Sequence, residues 1–165
     1  MNTLLLDLGR IALVGIGATV VMDLWLALLR RLGVPTLDFA LLGRWAGHLA
    51  GGRLRHDGIA KSPRIRNELA LGWLVHYAVG IAFAGLLAAI LGTAWMQSPT
   101  VLPALAIGAA TVAAPLFVMQ PSMGAGIASS RTAAPLTNCL RSLANHTVFG
   151  AGLYIAAATI QQVAA

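Results

Sequence analysis

The chain has few charged residues and almost no cysteine. Only 10% of its 165 residues are charged, and its mean hydropathy is +0.81. Soluble domains carry about 25% charged residues, so this deficit excludes an ordinary soluble domain and indicates the bilayer as solvent. Cys139 is the single cysteine, which excludes a disulfide within the chain, a CxxC motif and a cysteine cluster.

The basic residues are concentrated in one stretch. The net charge of +6 is compatible with nucleic-acid binding, but eight of the eleven lysine and arginine residues lie between Arg30 and Arg66 and are not interleaved with aromatic residues. A basic loop of this kind is typical of the cytoplasmic face of a membrane protein. We therefore expect anionic lipid headgroups as its partner and no nucleic-acid binding.

Four apolar segments are long enough to cross a bilayer, which takes about 20 residues. They cover about residues 11–29, 68–92, 100–120 and 138–160. The sequence thus predicts an all-α fold, a single transmembrane domain over residues 1–165 with four spans and a cytoplasmic loop at 30–67. The turn at 93–99 and the C-terminal tail carry no positive charge, so both termini are expected outside the cytoplasm.

A short helix is predicted inside the basic loop. Its apolar residues recur every four positions, as on one face of a helix, at Leu37, Leu41, Trp45 and Leu49. Arg44 and His48 fall off that face. This pattern indicates an amphipathic helix lying in the membrane interface, followed by a solvated loop in which His48 and His56 are expected near the surface.

The second span carries a stripe of small residues interrupted by a histidine. Gly72, His76, Gly80 and Ala84 follow at four-residue spacing. Small residues let a second helix approach closely, so this stripe is expected to pack within the chain or to form a homo-oligomer. The fourth span has His146 and Gly150 at an offset of 70 residues from His76 and Gly80, which is consistent with a duplicated hairpin.

Polar residues lie at similar depths in the spans. At about 1.5 Å of rise per residue, Asp23, His76 and His146 lie about 8–12 Å inward from the cytoplasmic side, and Gln120 ends the third span on that side. A buried acid costs about 2.5–3.5 kcal/mol on insertion scales, so Asp23 needs a partner, and a histidine is available. These four residues are the predicted binding cluster.

Three functions compete for this cluster. It could bind or transport a small cation or a proton, because histidine titrates near neutrality. A transition metal is one such cation, with His76, His146, Met119 and Met123 as candidate ligands. It could instead be packing alone, in a structural or accessory membrane subunit. A His–Asp base in an enzyme acting on a lipid or apolar substrate is less favoured, because no nucleophile motif or HExxH is present.

Several blocks of the sequence resemble a known family. They are ATVVMDLW, ELALGWLVHYAVGIAFA, APLFVMQPSMGAGIASSRTAAP, RSLANHTVFGAGLY and the loop RLRHDGIAKSP. Together they resemble a family of small bacterial inner-membrane proteins catalogued as a domain of unknown function. The GW-x2-H span and the late histidine are also distantly similar to inner-membrane proteins linked to acid resistance. The resemblance implies a membrane location and four helices, and it supports Asp23, His76, the turn at 119–121 and His146 as residues to test.

Overall fold

The structure is a computed structural model that describes residues 3–164, and all regular elements in this range are helical. The α-helices are α1 (Thr3–Arg31), α2 (Phe39–Ala50), α3 (Glu68–Leu91), α4 (Val101–Ala110), α5 (Gln120–Met123) and α6 (Pro135–Ala164). Short 3₁₀ helices occur at Ile59–Lys61, Thr93–Gln97 and Ile127–Ser129, and a π-helix at Pro115–Met119.

The described chain contains four helices that are long and apolar enough to cross a membrane. They are Thr3–Arg31, Glu68–Leu91, Val101–Met123 and Pro135–Val163. This confirms the all-α prediction with four membrane-length helices. α1 and α6 begin earlier than the apolar segments do, because a helix can continue past its apolar part. Pro135 opens α6, where its missing N–H would have had no partner within the helix.

The third of these helices is irregular at Pro115. α4 ends at Ala110, and the π-helix begins at Pro115. Proline cannot donate the hydrogen bond that an α-helix needs at this point, and a single π-turn is a common way to absorb the defect. The regular α pattern resumes at Gln120 and stops at Gly124, whose φ of 98° suits glycine.

The described chain forms two compact units. Unit 1 consists of the described parts of Met1–Val34, Tyr77–Thr111 and Asn145–Ala165, and unit 2 of Pro35–His76 and Val112–Ala144. The helices α3 and α6 contribute residues to both units. That the whole chain is one domain stays a prediction.

Unit 1 is built on close contacts between helices. A Cβ added to Gly15 of α1 would lie 2.5 Å from the Cα of Ile81 in α3. A Cβ added to Gly108 of α4 would meet Gly150 of α6, and it would lie 2.8 Å from the carbonyl oxygen of His146. The buried core around these contacts includes Val14, Ala18, Ala84, Leu87, Phe149 and Leu153. Small residues therefore set the helix spacing here, as is common in membrane proteins.

The small-residue stripe of α3 packs within the chain. Gly80 faces Thr19 of α1 in unit 1, and Ala84 is 1% exposed. In unit 2, Gly72 faces the backbone of Phe39 in α2. These contacts are within the chain, and a homo-oligomer through the same stripe stays a prediction.

Unit 2 is organised by α2 and the start of α3. Asp38 caps α2, where its Oδ1 accepts a hydrogen bond from the Ala40 N–H at 2.8 Å. Gly43 lets the α2 backbone approach the carbonyl of Glu68. The next residue, Arg44, donates from Nε and Nη2 to the Glu68 carboxylate at 2.9 and 2.8 Å. α2 and α3 are thus joined by backbone contact and a two-pronged ion pair.

The orientation of α2 differs in part from the prediction. Leu37 and Leu49, expected on its apolar face, are exposed, as they would be in a membrane interface. Arg44, expected on the same helix but off its apolar face, is only 5% exposed. Its Nη1 donates to the carbonyls of Ala60 and Ser62 at 3.1 and 3.3 Å, and the bond to Glu68 raises its pKa. Arg44 is buried because its guanidinium has enough N–H groups to bind the Glu68 carboxylate of α3 and two carbonyls of the loop at the same time.

We predict that Gly15→Ala destabilises the protein, because the new methyl group must displace the backbone of α3. Overpacking of this kind typically costs about 1–3 kcal/mol, and a lower midpoint of thermal unfolding in detergent would report it. Gly9→Ala is the matched control on the same helix, because a Cβ added at Gly9 meets nothing within 4 Å. Equal midpoints for the two variants would contradict the close approach.

Candidate functional site

Asp23, the acidic residue of the predicted cluster, has a tyrosine as hydrogen-bond partner in unit 1. The hydroxyl of Tyr77 in α3 donates to Asp23 Oδ2 at 2.9 Å. Sequence reasoning looked to a histidine as the partner of Asp23. The tyrosine supplies a proton donor to the carboxylate while keeping its own ring in the apolar surroundings.

A second bond joins α1 to α6. The indole Nε1 of Trp25 donates to Asn145 Oδ1 at 2.9 Å. Trp25 lies two residues after Asp23, and Asn145 directly precedes His146, so this bond brings the segments that carry two predicted site residues together in unit 1.

His146 is held by a threonine that the sequence analysis did not single out. Thr111, at the end of α4, is 5% exposed, and its Oγ1 lies 2.8 Å from Nδ1 of His146. The same hydroxyl donates to the Gly108 carbonyl at 2.5 Å. A hydroxyl has one proton to donate, so Oγ1 accepts from His146 and the Nδ1–H tautomer is favoured. Neutral His146 then presents Nε2 as its basic nitrogen.

These three bonds form a polar layer across unit 1. We use that name for Asp23, Trp25, Tyr77, Thr111, Asn145 and His146. The bonds connect α1 with α3, α1 with α6 and α4 with α6, so each of the four long helices contributes at least one side chain. Phe83 contacts the His146 ring edge-on, with ring centroids 6.1 Å apart. The layer thus combines an acid and a histidine with apolar walls.

His76 and Gln120 belong to unit 2, each with its own contacts there. His76 lies against the rings of Phe39 and Trp73, with centroids 4.7 and 6.0 Å away. The Gln120 carboxamide accepts from the Ser129 hydroxyl at 2.9 Å and donates to Ser142 Oγ at 3.5 Å. Gln120 therefore ties the turn after α5 to α6.

The metal hypothesis rests on His76, His146, Met119 and Met123. Met119 ends the π-helix and Met123 ends α5, and both side chains are half-buried. Within residues 3–164, no group of three or more His, Cys, Asp or Glu side chains is arranged to hold a metal ion. A site that includes methionine sulfur stays a prediction.

His56 is buried, although the basic loop was expected to be solvated. Its side chain is 5% exposed, and its Nδ1 lies 2.8 Å from Ser62 Oγ. Its Nε2 is buried with no hydrogen-bond partner among the described residues. The backbone explains the burial: His56 N–H donates to the Ser122 carbonyl at 2.9 Å, and Gly124 packs against the backbone of residues 56–58.

Burial lowers the pKa of His56 below its ordinary value, and the neighbouring Arg53 and His48 act in the same direction. The ring centroids of His48 and His56 are 5.2 Å apart. No local signal in the loop sequence distinguishes His56 from His48, because the contact that buries it comes from a segment more than 60 residues later. His56 is therefore a pH-sensitive position that sequence reasoning missed.

The fold and the polar layer define a class of protein: an all-helical chain with four membrane-length helices and hydrogen-bonded polar groups on them. A family model described as "Protein of unknown function (DUF2938)" matches residues 12–160, and the chain belongs to this family. This confirms the family resemblance seen in the sequence blocks. No curated protein and no solved structure matches the chain.

The bond between Trp25 and Asn145 can be measured by a double-mutant cycle with Trp25→Phe and Asn145→Leu. Because side-chain bonds between membrane helices contribute about 0.6–1.7 kcal/mol, we expect a coupling in that range from unfolding in detergent. Thr159→Val replaces Asn145→Leu in the control cycle, since Thr159 donates only to Ile155 of its own helix. Zero coupling in the main cycle would show that the bond does not stabilise the fold.

The loop that carries His56 should loosen in acid. Because the pKa of His56 is lower in the folded loop than in the unfolded loop, the unfolded loop binds the proton more tightly. The folded loop is therefore most stable above about pH 6.5, and it loses stability as the pH falls below that value. We expect hydrogen exchange of residues 56–62, corrected for the intrinsic rate, to accelerate between about pH 7.5 and about 5.5.

His56→Asn should remove most of this acceleration, because asparagine can keep a bond to Ser62 without gaining a charge. Residues 11–29 of α1 serve as the internal reference. The same pH response in wild type and in His56→Asn would place the acid sensitivity on another group.

Proposed function

We propose that the protein is a multi-pass protein of the bacterial inner membrane with both termini outside the cytoplasm. The four membrane-length helices support a membrane location. The eight basic residues between Arg30 and Arg66 support a cytoplasmic position for the loop, where anionic headgroups are its natural partner. Leu37 and Leu49, exposed beside α2, add apolar surface that suits the headgroup boundary.

We further propose that the polar layer takes up protons, or binds a small cation, within the membrane. Asp23 and His146 are both ionisable, and both belong to unit 1. An ionisable group on a membrane helix is expensive, and where it occurs it commonly belongs to an ion or proton pathway. His76, on the part of α3 that belongs to unit 2, is the third member of the cluster predicted from sequence.

The observation that carries the proposal is the bond between Thr111 and His146. Because the Thr111 hydroxyl donates to the Gly108 carbonyl, it orients the imidazole with Nδ1–H toward itself. The basic Nε2 is then fixed in direction, which suits a group that must accept a proton and return it.

A structural or accessory role is the second candidate. It is favoured by the bond from Trp25 to Asn145, which joins two groups that do not titrate near neutrality and serves only to hold helices together. In that case the whole polar layer specifies helix order.

Proton movement through reconstituted protein separates the two candidates. We expect vesicles that contain the wild-type chain and an internal pH-sensitive dye to dissipate an imposed pH gradient, with the membrane potential clamped. His146→Leu and Asp23→Leu should each slow this by about tenfold or more, because positioned proton transfer contributes at least about a hundredfold in known sites. Repeating the assay with sodium or potassium gradients tests a cation.

Three further variants make the result decisive. Thr111→Val should keep the histidine and reduce the rate, because it removes the group that orients the ring, whereas Thr159→Val makes the same chemical change on an exposed part of α6 and should have no effect. His76→Leu tests the other histidine of the predicted cluster separately. Folded, monodisperse variants that all behave like wild type would support the packing role.

A further inference from the structure

A half-open cavity lies in unit 1, away from the polar layer. Its volume is about 250 Å³. Its polar lining comes from Arg10, Gln97 and Gln161, and its apolar wall includes Val14, Met96 and Ile160. Pockets for drug-sized ligands typically hold about 300–1,000 Å³, so this cavity suits a headgroup or a small ion with a few attached carbons.

The cavity lies where helices of unit 1 begin or end. Arg10 is in the second turn of α1, Gln97 ends the 3₁₀ helix between α3 and α4, and Gln161 is near the end of α6. The residues of the polar layer lie in the C-terminal half of α1, in the N-terminal halves of α3 and α6, and at the end of α4. The two sites are therefore separated along the helices of unit 1. In a membrane protein, helix ends lie at headgroup depth.

The three polar side chains of the cavity make no hydrogen bond or ion pair with another described residue. Asp7 lies one turn before Arg10 on α1, and the two form no ion pair among the described residues. All three can donate hydrogen bonds, and the guanidinium adds a positive charge. A set of donors around a permanent cation, beside apolar surface, is complementary to an anionic oxygen group.

We propose that this cavity binds a phosphate group. The planar guanidinium of Arg10 matches two phosphate oxygens, and the carboxamides of Gln97 and Gln161 can each donate to another. The apolar wall contacts the carbon next to the phosphate. The source is either the headgroup of a phospholipid or free phosphate. This site does not depend on proton movement through the polar layer.

Native mass spectrometry of the delipidated full chain in detergent tests the proposal with phosphatidylglycerol as the probe. We expect Arg10→Gln to weaken the tightest binding event by about tenfold or more, because a hydrogen bond to a charged group contributes about 1.5–3 kcal/mol. Arg131→Gln is the matched control: it removes the same charge from an exposed side chain in the turn before α6, outside the cavity and the basic loop, and should leave that event unchanged. Equal weakening by both variants would overturn the proposal, since it would report net charge only.

A parallel titration with inorganic phosphate, against chloride at equal ionic strength, identifies the source. Protection of the wild type from heat by inorganic phosphate, lost in Arg10→Gln, would assign free phosphate. An Arg10-dependent effect of phosphatidylglycerol alone would assign the lipid headgroup. If Arg10→Gln does not fold, Gln97→Ala with Gln161→Ala changes only exposed side chains and should weaken binding severalfold. Wild-type affinity for both probes in every folded variant would overturn the proposal.

Discussion

The arrangement of unit 1 follows from one constraint: on helices this apolar, a polar side chain has to find its partner inside the protein. Asp23 meets Tyr77, Trp25 meets Asn145, and His146 meets Thr111. Because each pair spans two helices, satisfying the polar groups also decides which helices are neighbours and how they are rotated. The polar layer is thus a consequence of folding in an apolar solvent as well as a candidate site.

Close packing makes these short bonds possible. Threonine has a short side chain, so Thr111 can reach His146 only if α4 and α6 approach closely. Gly108 and Gly150 provide that approach one turn away on each helix. Gly108 also supplies the carbonyl that takes the Thr111 proton. A single backbone crossing therefore sets both the distance and the direction of the hydrogen bond to the histidine.

The sequence predicted the elements better than the contacts, for a physical reason. Length and hydropathy identify the spans, and glycine or proline marks breaks such as those at Pro115 and Gly124. Rotation is not encoded in the same way, because helices that are apolar on nearly every side have no periodicity to show which face is inward. Asp23, His146 and Gln120 could therefore be selected as candidates, whereas Tyr77 and Thr111 could not be recognised as their partners. The burial of Arg44 and His56 likewise depends on groups distant in sequence.

Two histidines of this chain, His56 and His146, differ in how their ring nitrogens are hydrogen-bonded. His56 is buried, and its Nε2 has no hydrogen-bond partner among the described residues, so a proton added to Nε2 would have no acceptor among them. In the Nδ1–H tautomer that the bond from Thr111 to Gly108 favours, His146 donates to Thr111. An imidazolium donates from both nitrogens, so a charged ring would keep this hydrogen bond to the end of α4. The contact that joins α4 to α6 therefore does not depend on the charge of the ring.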